Sequence, residues 1–182
     1  IMKRNVRLVG EDRNTTIIKA KFGGPAVFFN DNDNASLENF TIIKGGGFRT
    51  DYGYGYAGGA VALLYSENVL IKNCTIKEVF SIELPFAALV LLSSDCIVKN
   101  CILEENLGFR SGAVYCDRYS SLQMDKSLIR NNEMFGNYSQ SGILYIDGAN
   151  LKLIDCAFEN NQFEISPTSN VIFFFSEKSL TV

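Results

Sequence analysis

The sequence contains no histidine, which removes several kinds of chemistry at once. Without imidazole side chains the chain cannot build a histidine-dependent nucleophilic triad or a His-type zinc site. The five cysteines include no C-x-x-C pair, so neither a zinc ribbon nor a redox motif is indicated. We therefore predict no metal site and no cofactor in this chain.

Strong charge and long apolar runs are also missing. The 17 basic and 20 acidic residues give a formal net charge of −3, without the basic footprint of a nucleic-acid-binding protein. No apolar run reaches the roughly 18 residues that a membrane-spanning helix needs. We predict no nucleic-acid partner and no membrane span, while a hydrophobic fraction of 47% over 182 residues suffices for the core of one domain.

The main positive feature is an internal repeat. The equivalent positions Phe40, Cys74, Cys101, Ser127 and Cys156 are separated by 34, 27, 26 and 29 residues. Each repeat holds an apolar run, a polar turn, and two short alternating segments separated by a one-residue bend. Alternation with a period of two is typical of strands with one buried face, and no window shows a sustained helical stripe.

These repeats predict an all-β parallel β-helix, a solenoid of about six coils with three short strands per coil. A leucine-rich repeat is the nearest competitor, but it supplies one strand per repeat. We assign residues 1–182 to a single β-helix segment. The residue before the third strand is predicted to form a buried, stacked column, because asparagine tolerates the left-handed backbone of a tight bend. That column contains Asn39, Asn73, Asn100, Lys126 and Asp155, and a second polar column contains Asn106, Asn132 and Asn161.

The cysteines are predicted to face the core. Cys74, Cys101 and Cys156 form one inward ladder, and Cys96 and Cys116 also point inward in this register. Buried cysteine behaves as a small apolar residue, so we expect unpaired thiols. A disulfide between Cys74 and Cys101 is sterically conceivable but is not required.

With these repeats the sequence resembles the pectin-lyase-like right-handed parallel β-helix superfamily over essentially its whole length. A narrower resemblance is to surface proteins with polymorphic outer-membrane-protein-type repeats, whose signatures are G-G-A-[ILV] and F-x-x-N. Residues 58–61 match the first signature and residues 158–161 the second. The resemblance implies a right-handed coil and an extracellular or cell-surface location, with a non-catalytic structural, adhesive or scaffold role.

The superfamily also contains polysaccharide lyases, galacturonidases and pectin esterases, whose sites lie on the outer face of strand one. The best constellation of that kind is Asp117 and Asp147 on successive coils, with Arg118 beside the first. Two nearby carboxylates can divide acid and nucleophile roles, and an arginine can clamp a uronate. The alternative function is therefore a carbohydrate-active enzyme, a polysaccharide lyase or glycoside hydrolase. The simpler interpretation is that both aspartates are solvated turn residues.

Two loops carry further candidate residues. Residues 30–34 read N-D-N-D-N, which suits calcium by oxygen spacing but fits a polar turn better because the glycine and distal glutamate of an EF-hand are missing. Tyr52, Tyr54 and Tyr56 lie in a glycine-rich loop and could stack on a sugar or a partner. Packing of these rings onto the side of the solenoid is equally consistent with the sequence.

The outward side of strand one is apolar where a solvated face should be polar. If the first strands follow the predicted register, Phe28, Val90, Tyr115 and Tyr145 point outward. We interpret this face as exposed and as a contact surface for a protein or glycan. The alternative is that another part of the same chain lies over it.

The C-terminal strands are expected to start a coil that the given sequence does not complete. Residues 171–175 read as a first strand and residues 180–182 as the beginning of a second. An unfinished coil exposes unpaired backbone groups. We predict that further coils of the same chain, or another protein chain, stack on this end, and that the segment is part of a longer protein.

Overall fold

The chain folds as a stack of parallel strands. The computed structural model describes residues 2–21, 24–49, 56–81, 88–135, 142–163, 170–175 and 180–181. All regular elements within these ranges are β-strands, and no helix occurs in them. The predicted all-β solenoid with three main strands per coil is therefore confirmed.

Three long parallel sheets run along the solenoid, each built from equivalent strands of successive coils. The first sheet contains Val27–Asn30, Val61–Leu64, Leu89–Leu92, Ser111–Cys116, Gly142–Asp147 and Asn170–Phe175. The second sheet contains Arg7–Val9, Ser36–Glu38, Val69–Lys72, Asp95–Lys99, Ser121–Asp125, Asn150–Ile154 and Leu180–Thr181. The third sheet contains Ile17–Lys19, Thr41–Ile43, Thr75–Lys77, Ile102–Glu104, Leu128–Arg130 and Ala157–Glu159.

Two smaller elements were not predicted. A fourth parallel sheet of two-residue strands follows the third sheet and leads each coil back to the first; its strands are Phe80–Ser81, Leu107–Gly108, Glu133–Met134 and Gln162–Phe163. An antiparallel pair joins Gly46–Arg49 to Tyr56–Gly59. Gly45, with φ of 128°, precedes this pair, and a Cβ there would lie 2.7 Å from the Ala60 Cα, so the position requires glycine.

In the middle coils the pairing register of the three long sheets places apolar side chains of each strand inside the coil. Leu37, Ile71, Val98, Met124 and Leu153 pair in succession in the second sheet and are all buried, as predicted. The first and third sheets contribute equivalent inward ladders, and together these side chains form one continuous core. Apolar burial along the whole stack is the main stabilising term of the fold.

The predicted bend column has the predicted backbone but not the predicted burial. Asn39, Asn73 and Asn100 have φ values of 63°, 51° and 52°, in the left-handed region that asparagine tolerates. Their amides stack along the column, with Asn73 Nδ2 donating to Asn39 Oδ1 at 3.2 Å and Asn100 Nδ2 donating to Asn73 Oδ1. Asn73 is nevertheless half-buried and Asn100 exposed, so the expected burial was wrong. The inward position at this bend belongs to the following residue, Cys74 or Cys101.

All five cysteines are free thiols, as predicted; four are buried and Cys156 is half-buried, and the thiols of the inward ladder also form hydrogen bonds. The Cys74 backbone N–H donates to Cys101 Sγ at 3.4 Å, and the Cys101 N–H donates to Ser127 Oγ at 3.2 Å. The thiols of Cys74, Cys101 and Cys156 each lie near a backbone carbonyl, for example Cys101 Sγ at 3.3 Å from the Lys99 oxygen. Burial raises the pKa of Cys96 and Cys116, which keeps these thiols protonated. Serine can replace cysteine in the ladder because either side chain accepts from the N–H of the preceding coil.

Candidate functional site

The outer face of the first sheet is apolar as predicted, but it is largely buried. Val90 has 0% relative exposure and Tyr145 has 5%, while Phe28 and Tyr115 are half-buried. Val90 packs with Leu64 and Leu92 in a second hydrophobic cluster outside the coil. The expected exposure is therefore wrong for Val90 and Tyr145, which the rest of the chain buries. Whether any of these residues contacts a ligand or partner stays a prediction.

Asp117 ends a first-sheet strand and organises the turn that follows. Its Oδ1 accepts hydrogen bonds from the Ser93 N–H at 2.9 Å, the Tyr119 N–H at 3.2 Å and the Ser120 hydroxyl at 2.6 Å. The residue is only 5% exposed, so it is not a solvated turn residue. Three donors on one oxygen hold the carboxylate in place across two coils. Its Oδ2 is buried and accepts no hydrogen bond within the described part of the chain.

Asp147 lies one coil further on and is more accessible. Its Oδ2 is 3.6 Å from an Arg118 guanidinium nitrogen, and Arg118 itself is exposed. Its Oδ1 is buried and, among the described residues, accepts no hydrogen bond. The structure thus brings Arg118 to Asp147 and not to Asp117, the residue beside which the sequence placed it.

Two tyrosines and a second arginine complete this cluster. The rings of Tyr115 and Tyr145 stack with centroids 5.4 Å apart and planes 9° apart. The Arg110 guanidinium lies 5.2 Å from the Tyr145 ring centroid, which is cation–π distance. Burial raises the pKa of Tyr115, and the nearby negative charges of Asp147 and Asp117 raise it further, so this hydroxyl stays protonated. The sequence missed Arg110 because no local pattern shows that it reaches the next coil.

The two other candidate loops offer less support for a ligand-binding site. In residues 30–34, Asp31 forms an ion pair with Arg4, and Asn32 Oδ1 accepts from the Asn30 N–H at 3.0 Å. A cationic side chain therefore occupies the position where calcium was considered, and the polar-turn interpretation is supported. Tyr52 and Tyr54 lie outside the described residues, and Tyr56 is described only as the first residue of a strand. No cluster of three or more metal-ligating side chains occurs in the described ranges.

A groove on the outer face of the third sheet was not predicted. It encloses about 400 Å³, and we call it the third-sheet groove. Its lining residues are Arg13, Asn14, Ile17, Thr41, Ile43, Thr75, Lys77, Glu78, Ile102, Glu104 and Arg130. No sequence pattern indicates this groove, because its outward residues resemble an ordinary solvated sheet face.

Comparison with known proteins agrees with the coil architecture. No helix in the described residues is long and apolar enough to cross a membrane. Neither the curated proteins nor the solved structures gave a match to the chain. The family model described as right-handed beta helix region matches residues 6–180, nearly the whole sequence. The narrower resemblance to outer-membrane-type repeats stays a prediction. With its parallel three-sheet coils and this match, the chain belongs to the right-handed β-helix family.

Proposed function

We propose that this chain is a non-catalytic β-helix segment of an extracellular or cell-surface protein, with a structural, adhesive or scaffold role. The observation that carries the proposal is the burial of Val90 and Tyr145 on the outer face of strand one. A polymer substrate needs an open cleft there, and Val90 and Tyr145 lie under other parts of the chain. Stacking of further coils, or of another chain, on the C-terminal strands belongs to the same proposal.

The hydrogen bonds of Asp117 support the same function. A catalytic carboxylate must reach the reacting atoms, directly or through one water. The Asp117 Oδ1 instead accepts from three groups of its own chain. Its role in holding a turn between coils is sufficient to explain an aspartate at this position.

The direct test is turnover. Purified protein is incubated with polygalacturonate, alginate and xylan, and unsaturated ends and reducing ends are measured. We expect no more unsaturated or reducing ends than a boiled sample of the protein produces. Turnover that disappears in both Asp117→Asn and Asp147→Asn, but not in Asp95→Asn on the outer face of the second sheet, would refute the proposal. For location, surface labelling of intact cells with an antibody to this segment should be positive.

One observation favours the second candidate, a carbohydrate-active enzyme. Asp117 Oδ2 and Asp147 Oδ1 are both buried without a hydrogen-bond donor from the described residues. Buried acceptors of this kind are uncommon, and they often mark a water, an ion or a functional site. The turnover assay with the two asparagine variants decides between the candidates.

A further inference from the structure

Five segments of the chain carry the tripeptide Asn-X-Ser/Thr without proline in the middle, which is the acceptor sequence for N-linked glycans. Their asparagines are Asn14, Asn34, Asn39, Asn73 and Asn137. A glycan is bulky and hydrophilic, so a modified asparagine must lie at the surface of the folded chain. The structure describes the first four of these sites, and Asn137 lies outside the described residues.

Two of the four sites are built into the solenoid. Asn73 Nδ2 donates to Asn39 Oδ1, and Asn39 Nδ2 donates to the Gly10 carbonyl, each at 3.2 Å. The middle residues of the two tripeptides, Phe40 and Cys74, are buried in the core. A glycan on either amide nitrogen must compete with these contacts of the bend column. We therefore expect both asparagines to be unmodified.

Asn34 is exposed, but the fold uses the groups of its tripeptide. Its Nδ2 donates to Asn5 Oδ1 at 3.3 Å. The Ser36 hydroxyl, at the third position, donates to Glu38 Oε1 at 3.0 Å. Ala35 between them is buried. This site is therefore a less open acceptor than its exposed asparagine alone suggests.

Asn14 is the most open of the four sites. It lies in the turn between the strands Arg7–Val9 and Ile17–Lys19, where Thr15 beside it is also exposed. Its backbone N–H donates to Asp12 Oδ1 at 2.7 Å, and no hydrogen bond to another described residue involves its side-chain amide. The acceptor nitrogen of Asn14 therefore carries a glycan without loss of a contact in the described part of the chain.

The fold holds the turn of Asn14 in place through its neighbour. The Thr41 hydroxyl donates to the Arg13 carbonyl at 2.6 Å. Arg13 Nη1 donates to the Asn100 carbonyl at 3.2 Å, across 87 residues of sequence. A glycan on Asn14 thus projects from a fixed position, and it leaves both of these hydrogen bonds intact.

The surface beside Asn14 suits the first sugars of a glycan. Asn14 lines the third-sheet groove together with Ile17, Ile43 and Ile102. Ile17 is 55% exposed. The C–H faces of sugar rings pack favourably on apolar side chains, because both surfaces then leave water. A glycan at Asn14 therefore shields apolar surface that the described residues leave open.

We propose that Asn14 carries an N-linked glycan. This inference rests on the proposed extracellular or cell-surface location, because such glycans are found on secreted chains. The sugar comes from a lipid-linked oligosaccharide diphosphate. The bond between sugar C1 and the diphosphate oxygen breaks, and C1 bonds to Asn14 Nδ2. The amide nitrogen gives up one proton, and the lipid diphosphate leaves with the bonding electron pair.

The test uses the protein purified from the cells that make it. Peptide N-glycosidase in heavy-oxygen water converts each glycosylated asparagine into a labelled aspartate, which mass spectrometry of the peptides locates. We expect label at Asn14, in a larger fraction of molecules than at Asn34, Asn39 or Asn73. A sample without the enzyme controls for spontaneous deamidation.

Variants made in the same cells test the acceptor directly. Asn14→Gln and Thr16→Ala should each remove the glycan at this site, seen as faster migration in gel electrophoresis, whereas Thr16→Ser should keep it. Asn150→Gln is the matched control, because Asn150 is exposed but has no serine or threonine two residues later. The circular dichroism spectrum of Asn14→Gln should be unchanged.

Three results would overturn the inference. The first is no label at Asn14 in protein that surface labelling detects on intact cells, and this result leaves the proposed function standing. The second is a labelled fraction at Asn34, Asn39 or Asn73 that equals or exceeds the fraction at Asn14. The third is a glycan that persists at Asn14 in Thr16→Ala. Protein that lacks the glycan and is also protected from surface labelling would refute the extracellular proposal as well.

Discussion

Replacing Asn132 by leucine should test the buried asparagine ladder most directly. Asn132 is fully buried, and its Oδ1 accepts from the Asn106 backbone N–H at 3.2 Å and from Asn106 Nδ2 at 2.9 Å. Its own Nδ2 donates to the Leu103 carbonyl at 2.9 Å and to Asn161 Oδ1 at 3.0 Å. Leucine has nearly the same shape but makes none of these bonds.

The expected loss in the free energy of unfolding follows from the backbone groups that Asn132→Leu leaves unpaired. The Asn106 N–H loses its acceptor and the Leu103 carbonyl loses a donor, at about 1–3 kcal/mol each. The added apolar side chain returns about 1–2 kcal/mol. We expect a net loss in the free energy of unfolding of about 2–3 kcal/mol. At about 2–4 °C per kcal/mol for a chain of this size, the melting temperature falls by about 5–10 °C.

Urea unfolding followed by circular dichroism provides the measurement, with Asn100→Gly as control. Asn100 lies in the exposed column at a left-handed position that glycine adopts freely, so this change should cost less than about 1 kcal/mol. The double variant Asn106→Leu/Asn132→Leu should cost less than the sum of the single changes, because they share the direct amide bond. A loss below about 1 kcal/mol for Asn132→Leu, or an equal loss for Asn100→Gly, would refute the reasoning.

Three further predictions concern the bends and one ion pair. Lys126 occupies the exposed bend column with φ of 49°, so Lys126→Asn should raise stability by about 0.5–1.5 kcal/mol in the same urea assay, and a loss would contradict this. Cys101→Val should cost about 1–3 kcal/mol by leaving the Cys74 N–H without an acceptor, whereas Cys101→Ser should stay within about 1 kcal/mol, and equal losses would argue against a bonding role. The hydrogen bond from Arg7 lowers the pKa of Glu38, so this pair stabilises the fold above the ordinary glutamate range and the contribution is lost as pH falls through the lowered pKa. Unfolding measured from pH 7 to pH 3 should depend less on pH in Arg7→Gln, and an unchanged profile would exclude the pair as a source.

The coils could be predicted from the sequence because the features that define them depend on residues that are close together in the chain. Alternation decides which side chains of a strand share a face, and asparagine tolerates positive φ without help from the rest of the fold. The inward ladder through Leu37 and Ile71 and the left-handed bends at Asn73 and Asn100 were therefore accessible from the sequence. The fourth sheet was missed because two-residue strands such as Leu107–Gly108 are too short to show a period.

What the sequence could not predict depends on contacts between distant residues. Cys101 was correctly predicted to face the core, but the burial expected for the neighbouring Asn100 was wrong, because two adjacent bend residues cannot both point inward. Burial of Val90 requires a cover that no pattern within its own strand encodes. The third-sheet groove depends on Arg13 reaching Asn100, a contact that only the stacked coils create.

At three corners of the coil, buried serine, cysteine and asparagine side chains form ladders, and the hydrogen bonds of each ladder point from one coil to the next. This common direction explains why polar residues recur at the corners of an apolar core. At one corner the Ser66 N–H donates to Ser94 Oγ at 3.1 Å, and at the next the Cys74 N–H donates to Cys101 Sγ at 3.4 Å. At a third corner the Asn106 N–H donates to Asn132 Oδ1. In each case a backbone donor that the bend removes from the sheet is satisfied by a side chain of the following coil. A buried donor without an acceptor costs about 1–3 kcal/mol, so serine, cysteine and asparagine at these positions stabilise the coil before their own. Each coil is thus completed by its successor, which couples neighbouring repeats by directional bonds as well as by apolar stacking.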